Sequence, residues 1–139
     1  TTQLQVVAAV RYMTNGTYLG IMKEMLEAPV SDNMQPLKTR IAKLVALYEE
    51  ALNKVNGDES QDEHDFLARR LYDMTAEIIM SLLIIADASK APELFEKSAN
   101  VYVRMAEEDV IGKAAYIKAF NVDDLKSFVA DTTAEETEA

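Results

Sequence analysis

Residues 66–86 read FLARRLYDMTAEIIMSLLIIA, and this stretch decides the fold. Leu67, Leu71, Met74, Ile78, Leu82 and Ile85 recur at steps of three and four, the spacing that puts residues on one side of an α-helix. From Ile78 to Ala86 the run is apolar on every side, with Ser81 inside it, so this helix is expected to be the most buried. Nine residues fall far short of the ~20 that span a bilayer, so the run reads as core. Just upstream, Ser60-Gln61-Asp62-Glu63 has the form of a capping box, in which Ser60 meets a free N–H and Glu63 reaches back.

Similar patterns lie on either side. A helix starting near Pro36 carries Leu37, Ile41, Leu44, Tyr48, Ala51 or Leu52, and Val55 on one face, with Asn56-Gly57 expected to end it in a left-handed cap. Pro92 and Glu93 open another. Its expected inner face is Phe95, Ser98 or Ala99, Tyr102, Met105 or Ala106, Gly112, Tyr116, and Ala119 or Phe120. The first helix is expected from Leu4 to Glu27, because the periodicity resumes in phase after Asn15-Gly16. Asn121-Val122-Asp123-Asp124 is expected to cap a last short helix ending near Ala130, and Asp131–Ala139 reads as a disordered acidic tail. Short loops between long helices imply antiparallel neighbours. The expectation is an all-α fold: an up-down bundle of four long helices plus a short C-terminal one, in a single domain over residues 1–130.

Composition agrees. Apolar residues make up 49% of the 139, enough for one core, and nineteen alanines beside four glycines and three prolines favour helix. With 14 Lys+Arg against 24 Asp+Glu the net charge is −10, which disfavours nucleic acid and anionic membranes as partners. There is no cysteine, so no disulfide, thiolate metal site or cysteine nucleophile. The opening residues have no basic segment before the first apolar stretch, so no signal peptide is read there and a cytoplasmic location is expected. The chain also opens without Met, as an excised or processed segment would.

Few residues could carry chemistry. In the acidic cluster 58–65 the positions that a calcium loop needs as glycine and glutamate are Glu63 and Arg69. The one histidine, His64, has Gln61 three residues before it where a di-metal bundle needs glutamate. The acids read as helix N-terminal charge, and no metal site is expected. Glu49-Glu50 and Glu107-Glu108 point about 100° apart on a helix and read as solvated. The six tyrosines read as core or rim residues.

The opening segment adds a family. Thr1-Thr2-Gln3-Leu4-Gln5, followed by an apolar stretch and Arg11, resembles the segment after the catalytic glutamate of acyl-CoA dehydrogenases. In that family it reads Tyr-Glu-Gly-Thr-x-x-Ile/Leu-Gln, with an arginine about ten residues past the threonine. The Glu and Gly would precede Thr1. Placing the motif on Thr14-Asn15-Gly16 instead would put Tyr12 in the glutamate's place, so the earlier register is preferred. The rest is similar in pattern and position to the extra helical region of the longer dehydrogenases. Residues 1–28 then match the last helix of the dehydrogenase's helical domain, and 33–130 the add-on bundle.

The resemblance implies that Thr1, Thr2 and Gln3 touch FAD and that Arg11 meets the CoA part of the substrate, where a permanent cation suits phosphate. The alternative for Arg11 is a surface ion pair. It further implies a parent that removes the α-proton with the upstream glutamate and passes a β-hydride to flavin, with an acyl-CoA substrate and an electron-transfer flavoprotein as partners. The parent is expected to be a homo-oligomer. This chain holds no catalytic residue of that reaction, and no cofactor is expected on it alone. Two other readings stay open: a stand-alone acidic interaction module with an apolar groove, and membrane docking through Met22, Met25 and Leu26.

Overall fold

A computed structural model describes residues 16–57 and 61–120, apart from the side chains of 61–65. Within these residues every regular element is helical: α1 (Thr17–Glu27), a 3-10 turn (Asp32–Met34), α2 (Gln35–Gly57), α3 (Gln61–Lys90) and α4 (Pro92–Ala119). Helices α2, α3 and α4 pack on one another, while α1 and the 3-10 turn rest on α2 and α3. The all-α bundle expected from the periodicity is the fold observed. Only Ala91 separates α3 from α4, so two long helices in extensive contact must run antiparallel.

The stripe of α3 is buried at every expected position, as is that of α2 from Leu37 to Val55. Where they face each other, Tyr48 and Thr75 form a buried hydroxyl pair at 3.1 Å, and Thr75 also donates to the Leu71 carbonyl at 2.9 Å. Ser81, fully buried in the apolar run, donates to the Glu77 carbonyl at 2.8 Å. Both hydroxyls thereby avoid the cost of an unpaired polar group. The turn after α1 is pinned by two contacts. Ser31 N–H donates to Ser89 Oγ at 3.2 Å, and Lys38 Nζ donates to the Ala28 carbonyl at 2.8 Å.

Several expectations need correction. Gly16 has φ of 82°, a left-handed backbone that no α-helix continues through, so α1 begins at Thr17 and the expected helix does not run unbroken from Leu4. Gly57 is the last helical residue of α2, and Gly16 is the one positive-φ glycine among the described residues, so the left-handed cap at Asn56-Gly57 is absent. Helix α3 is not enclosed all round, because Met80 and Leu83 remain 48% and 46% exposed. On α4 the inner face is Ala99, Val103, Ala106, Val110, Ala114 and Ile117, and Met105, Gly112 and Tyr116 point outward. Small residues along that seam let the two axes approach, which larger side chains would prevent. Tyr72 is exposed as well. Met22 is fully buried and Met25 and Leu26 pack on the core, so they form no membrane-facing surface. No described helix is long and apolar enough to cross a membrane. Residues 1–15, the Ser60 cap, the short helix expected at 121–130 and the tail 131–139 lie outside the described residues.

The register of α3 makes a direct prediction. Ile78→Ala removes a fully buried side chain and is expected to cost about 3 kcal/mol in urea unfolding. Leu83→Ala, on the outer side of the same run, is expected to cost less than about 1 kcal/mol. Equal losses would contradict the register.

Candidate functional site

Four features of the bundle could bind or react. The first is a carboxyl pair across the α3–α4 seam. Glu77 leaves α3 beside the core residue Ile78, and Asp109 and Lys113 leave α4 one turn apart, forming an ion pair with each other. Burial pushes the Glu77 carboxyl up to about 7, helped by its hydrogen bond to Asp109 and by that residue's charge, while Lys113 opposes the rise. Asp109 is held below the usual carboxylate range by the same hydrogen bond and by Lys113. Two carboxyls can hydrogen-bond only through a shared proton, and Glu77 Oε2, buried without a hydrogen-bond partner, adds to the cost of ionising Glu77. Burial and the nearby Glu77 charge also raise the Tyr102 hydroxyl. A carboxyl titrating near 7 has the poise of a general acid or base. Neither of the two grooves described next has Glu77 or Asp109 on its wall; the pair lies between α3 and α4 and links the two helices as a clasp.

The second feature is a groove of about 390 Å³ between the C-terminal halves of α2 and α4, walled by Leu47, Ala51, Ile111, Ala114 and Ala115, with Glu50, Lys54 and Lys118 at its rim. At its end Lys54 Nζ donates to the carbonyls of Ile117, Lys118 and Phe120 at 2.5, 2.6 and 2.6 Å. This cation satisfies the open end of α4 and suits the negative pole of its dipole. The interaction-module reading expected such a groove.

The third is an outward apolar face. Ile84 of α3 and Val101, Tyr102 and Met105 of α4 line a shallow depression of about 350 Å³, with Leu94 and Val101 each 70% exposed. The fourth is an aromatic stack closing the end of the bundle. Phe66 and Phe120 stack at 5.1 Å between centroids, and the Arg70 guanidinium lies 3.8 Å over Tyr116 and 5.4 Å over Phe66.

Comparison with known proteins places the fold. A family model described as acyl-CoA dehydrogenase C terminal matches residues 14–125. The chain belongs to that family. The crystal structure of the acyl-CoA dehydrogenase family protein from Porphyromonas gingivalis is similar at 31% identity and a TM-score of 0.76, over 82% of this chain and 98% of that one. No curated protein matches.

Membership of the acyl-CoA dehydrogenase C-terminal family bears unevenly on the residues singled out in the sequence. Thr1, Thr2, Gln3 and Arg11 lie outside both the family match and the described residues; His64 and the acidic cluster 58–65 fall within the match, but their side chains lie outside the described ones. Among the described residues no group of three His, Cys, Asp or Glu could hold a metal ion. The groove between α2 and α4 does not suit a flavin dinucleotide: its walls are apolar, and of the two cations at its rim Lys54 is engaged with three carbonyls. The carboxylate doublets are not simply solvated. Lys23 pairs with Glu49 at 3.1 Å, and Arg40 with Glu107 through Nε at 3.0 Å and through Nη2. Arg70 and Lys54 went unrecognised in the sequence; Phe66 four residues before Arg70 was the available signal for one.

The clasp makes stability depend on pH. Glu77 titrates higher folded than unfolded, so its contribution is complete below 4.5 and is lost as pH rises through about 7. Asp109 titrates lower folded, so its contribution is lost only as pH falls below 3.8. Glu77→Gln keeps the donor and removes the charge. It is expected to melt on the order of 3 °C above the wild type at about pH 8, with the gap closing toward about pH 5 in circular-dichroism melts. A pH-independent gap would refute the shared proton.

Proposed function

We propose that the chain is the C-terminal helical domain of a FAD-dependent acyl-CoA dehydrogenase, an enzyme that introduces an α,β double bond into an acyl-CoA thioester. The observation that carries this is the family match over residues 14–125, which takes in all four described helices. The likeness of Thr1–Arg11 to the segment after the family's catalytic glutamate supports it. In this reading the glutamate base stands before Thr1, Thr1, Thr2 and Gln3 form part of the flavin rim, and Arg11 grips a CoA phosphate. FAD supplies the hydride acceptor when bound to the parent. The chain's own part is structural. Leu94, Val101 and Met105, prominent on the outer face, fit contacts within a homo-oligomer or against the rest of the parent. Alone the domain is catalytically inert; the parent works in the cytoplasm in fatty-acid metabolism and hands its electrons to an electron-transfer flavoprotein.

The intact mass and visible spectrum of the native gene product test this. A product several times heavier than 15.5 kDa and yellow with flavin is expected, and a colourless one near 15.5 kDa would overturn the reading. Within the parent, Arg11→Ala is expected to raise KM for acyl-CoA about tenfold, equivalent to about 1.4 kcal/mol, with kcat little changed. An unchanged KM would leave Arg11 as a surface ion-pair residue.

A further inference from the structure

On its outer side α4 carries a second helical repeat. Leu94, Val101, Glu108 and Ala115 stand seven apart, and Lys97, Arg104, Ile111 and Lys118 follow each of them by three. This is the spacing of a seam between two paired helices. All eight are exposed, Leu94 and Val101 being 70% and Ile111 50% open to solvent. Two valleys follow the stripe where α4 borders α2. One is the groove that Ile111, Ala115 and Lys118 help to wall; the other, of about 330 Å³, is lined by Arg40, Asn100, Val101 and Arg104.

The stripe is complementary to itself. About a midpoint level with Ala106, Val101 mirrors Ile111 and Arg104 mirrors Glu108, so apolar answers apolar and cation answers acid. A second α4, turned antiparallel about a two-fold axis there, sets the partner's Ile111 on Val101 and the partner's Glu108 on Arg104. The symmetry makes each contact twice. Further out, Lys97 crosses the partner's Ala115, and the partner's Lys118 crosses Leu94. Both lysine stems then lie on apolar surface with the ammonium in water.

The charges choose both the occupant and its direction. Among the described residues neither Arg104 nor Glu108 has an ion-pair partner, so both are available across the axis. Arg40, held by Glu107, lines the same cleft as Arg104, so the partner's Glu108 enters beside two guanidinium groups. A parallel pair would instead set Arg104 on the partner's Arg104 and Glu108 on the partner's Glu108, and like charges oppose it.

We propose that the outer stripe of α4 is a dimer seam, in which α4 pairs antiparallel with α4 of a second copy of this chain. Val101–Ile111 contacts and reciprocal Arg104–Glu108 ion pairs hold it. The proposal takes the homo-oligomer from the reading above and assigns its seam, without using the enzyme's chemistry.

Sedimentation equilibrium of the 139-residue chain over a concentration series is expected to show a mass rising to twice 15.5 kDa. Arg104→Glu alone and Glu108→Arg alone, both at exposed positions, are each expected to weaken dimerisation about tenfold while circular dichroism still shows the bundle. Mixing the two variants in equal amounts is expected to restore the dimer, since each then meets the opposite charge. Both reversals in one chain are expected to restore it as well. A wild-type chain that stays at 15.5 kDa throughout would overturn the proposal. Dimers that both single reversals leave as tight as the wild type would place the contact elsewhere and rule out this stripe. A double reversal as weak as the singles would rule out the antiparallel register. The colour of the native product reads the dehydrogenase assignment and this series reads the seam, so either can fail alone.

Discussion

Ala99, Val103, Ala106, Val110 and Ala114 hold α4 close along α3, and this seam organises the molecule. Small side chains bring the axes together, and the single residue Ala91 between the helices leaves no other arrangement open to them. With the small residues turned inward, Leu94, Val101, Met105 and Ile111 are turned outward. The outer apolar face and one wall of the α2–α4 groove are thus consequences of how α3 and α4 meet.

Polar groups then fix register where apolar packing is permissive. The Glu77–Asp109–Lys113 cluster spans the α3–α4 seam, Arg40–Glu107 joins α2 to α4, and Lys23–Glu49 joins α1 to α2. Lys54 acts across the same α2–α4 boundary by closing the end of α4 on three carbonyls. Exposed ion pairs such as Lys23–Glu49 contribute little, whereas a carboxyl pair that shares a proton at a helix seam ties packing to pH. A domain of this kind is suited to bracing and docking. The described residues form a bundle tied by these polar groups, with apolar outer surfaces, in a chain of the acyl-CoA dehydrogenase C-terminal family.

The resemblance read in the sequence and the family match lie in different parts of the chain. Thr1–Arg11 resembles the dehydrogenase segment, while the matched region runs over residues 14–125. Helical periodicity and the breakers at Pro36 and Pro92 were enough to place α2, α3 and α4, because each has an apolar stripe at the helical repeat. The first helix misled, since in-phase periodicity across Asn15-Gly16 says nothing about the sign of φ at Gly16. The candidate site was less legible. Glu77, Asp109 and Lys113 come together only across two helices, and Arg70 finds Tyr116 far along the chain.

By itself the sequence determined the helical class, where α2, α3 and α4 begin, and the buried faces of α2 and α3. Those are local properties, set by residues three and four apart. Tertiary structure alone decided which side of α4 faces inward, because alanine and valine make as weak an apolar stripe as the larger residues opposite make a strong one. Close approach to α3 rewards the weak stripe. Tertiary structure also decided that Glu77 titrates near 7, since burial and the facing Asp109 are properties of the assembled seam.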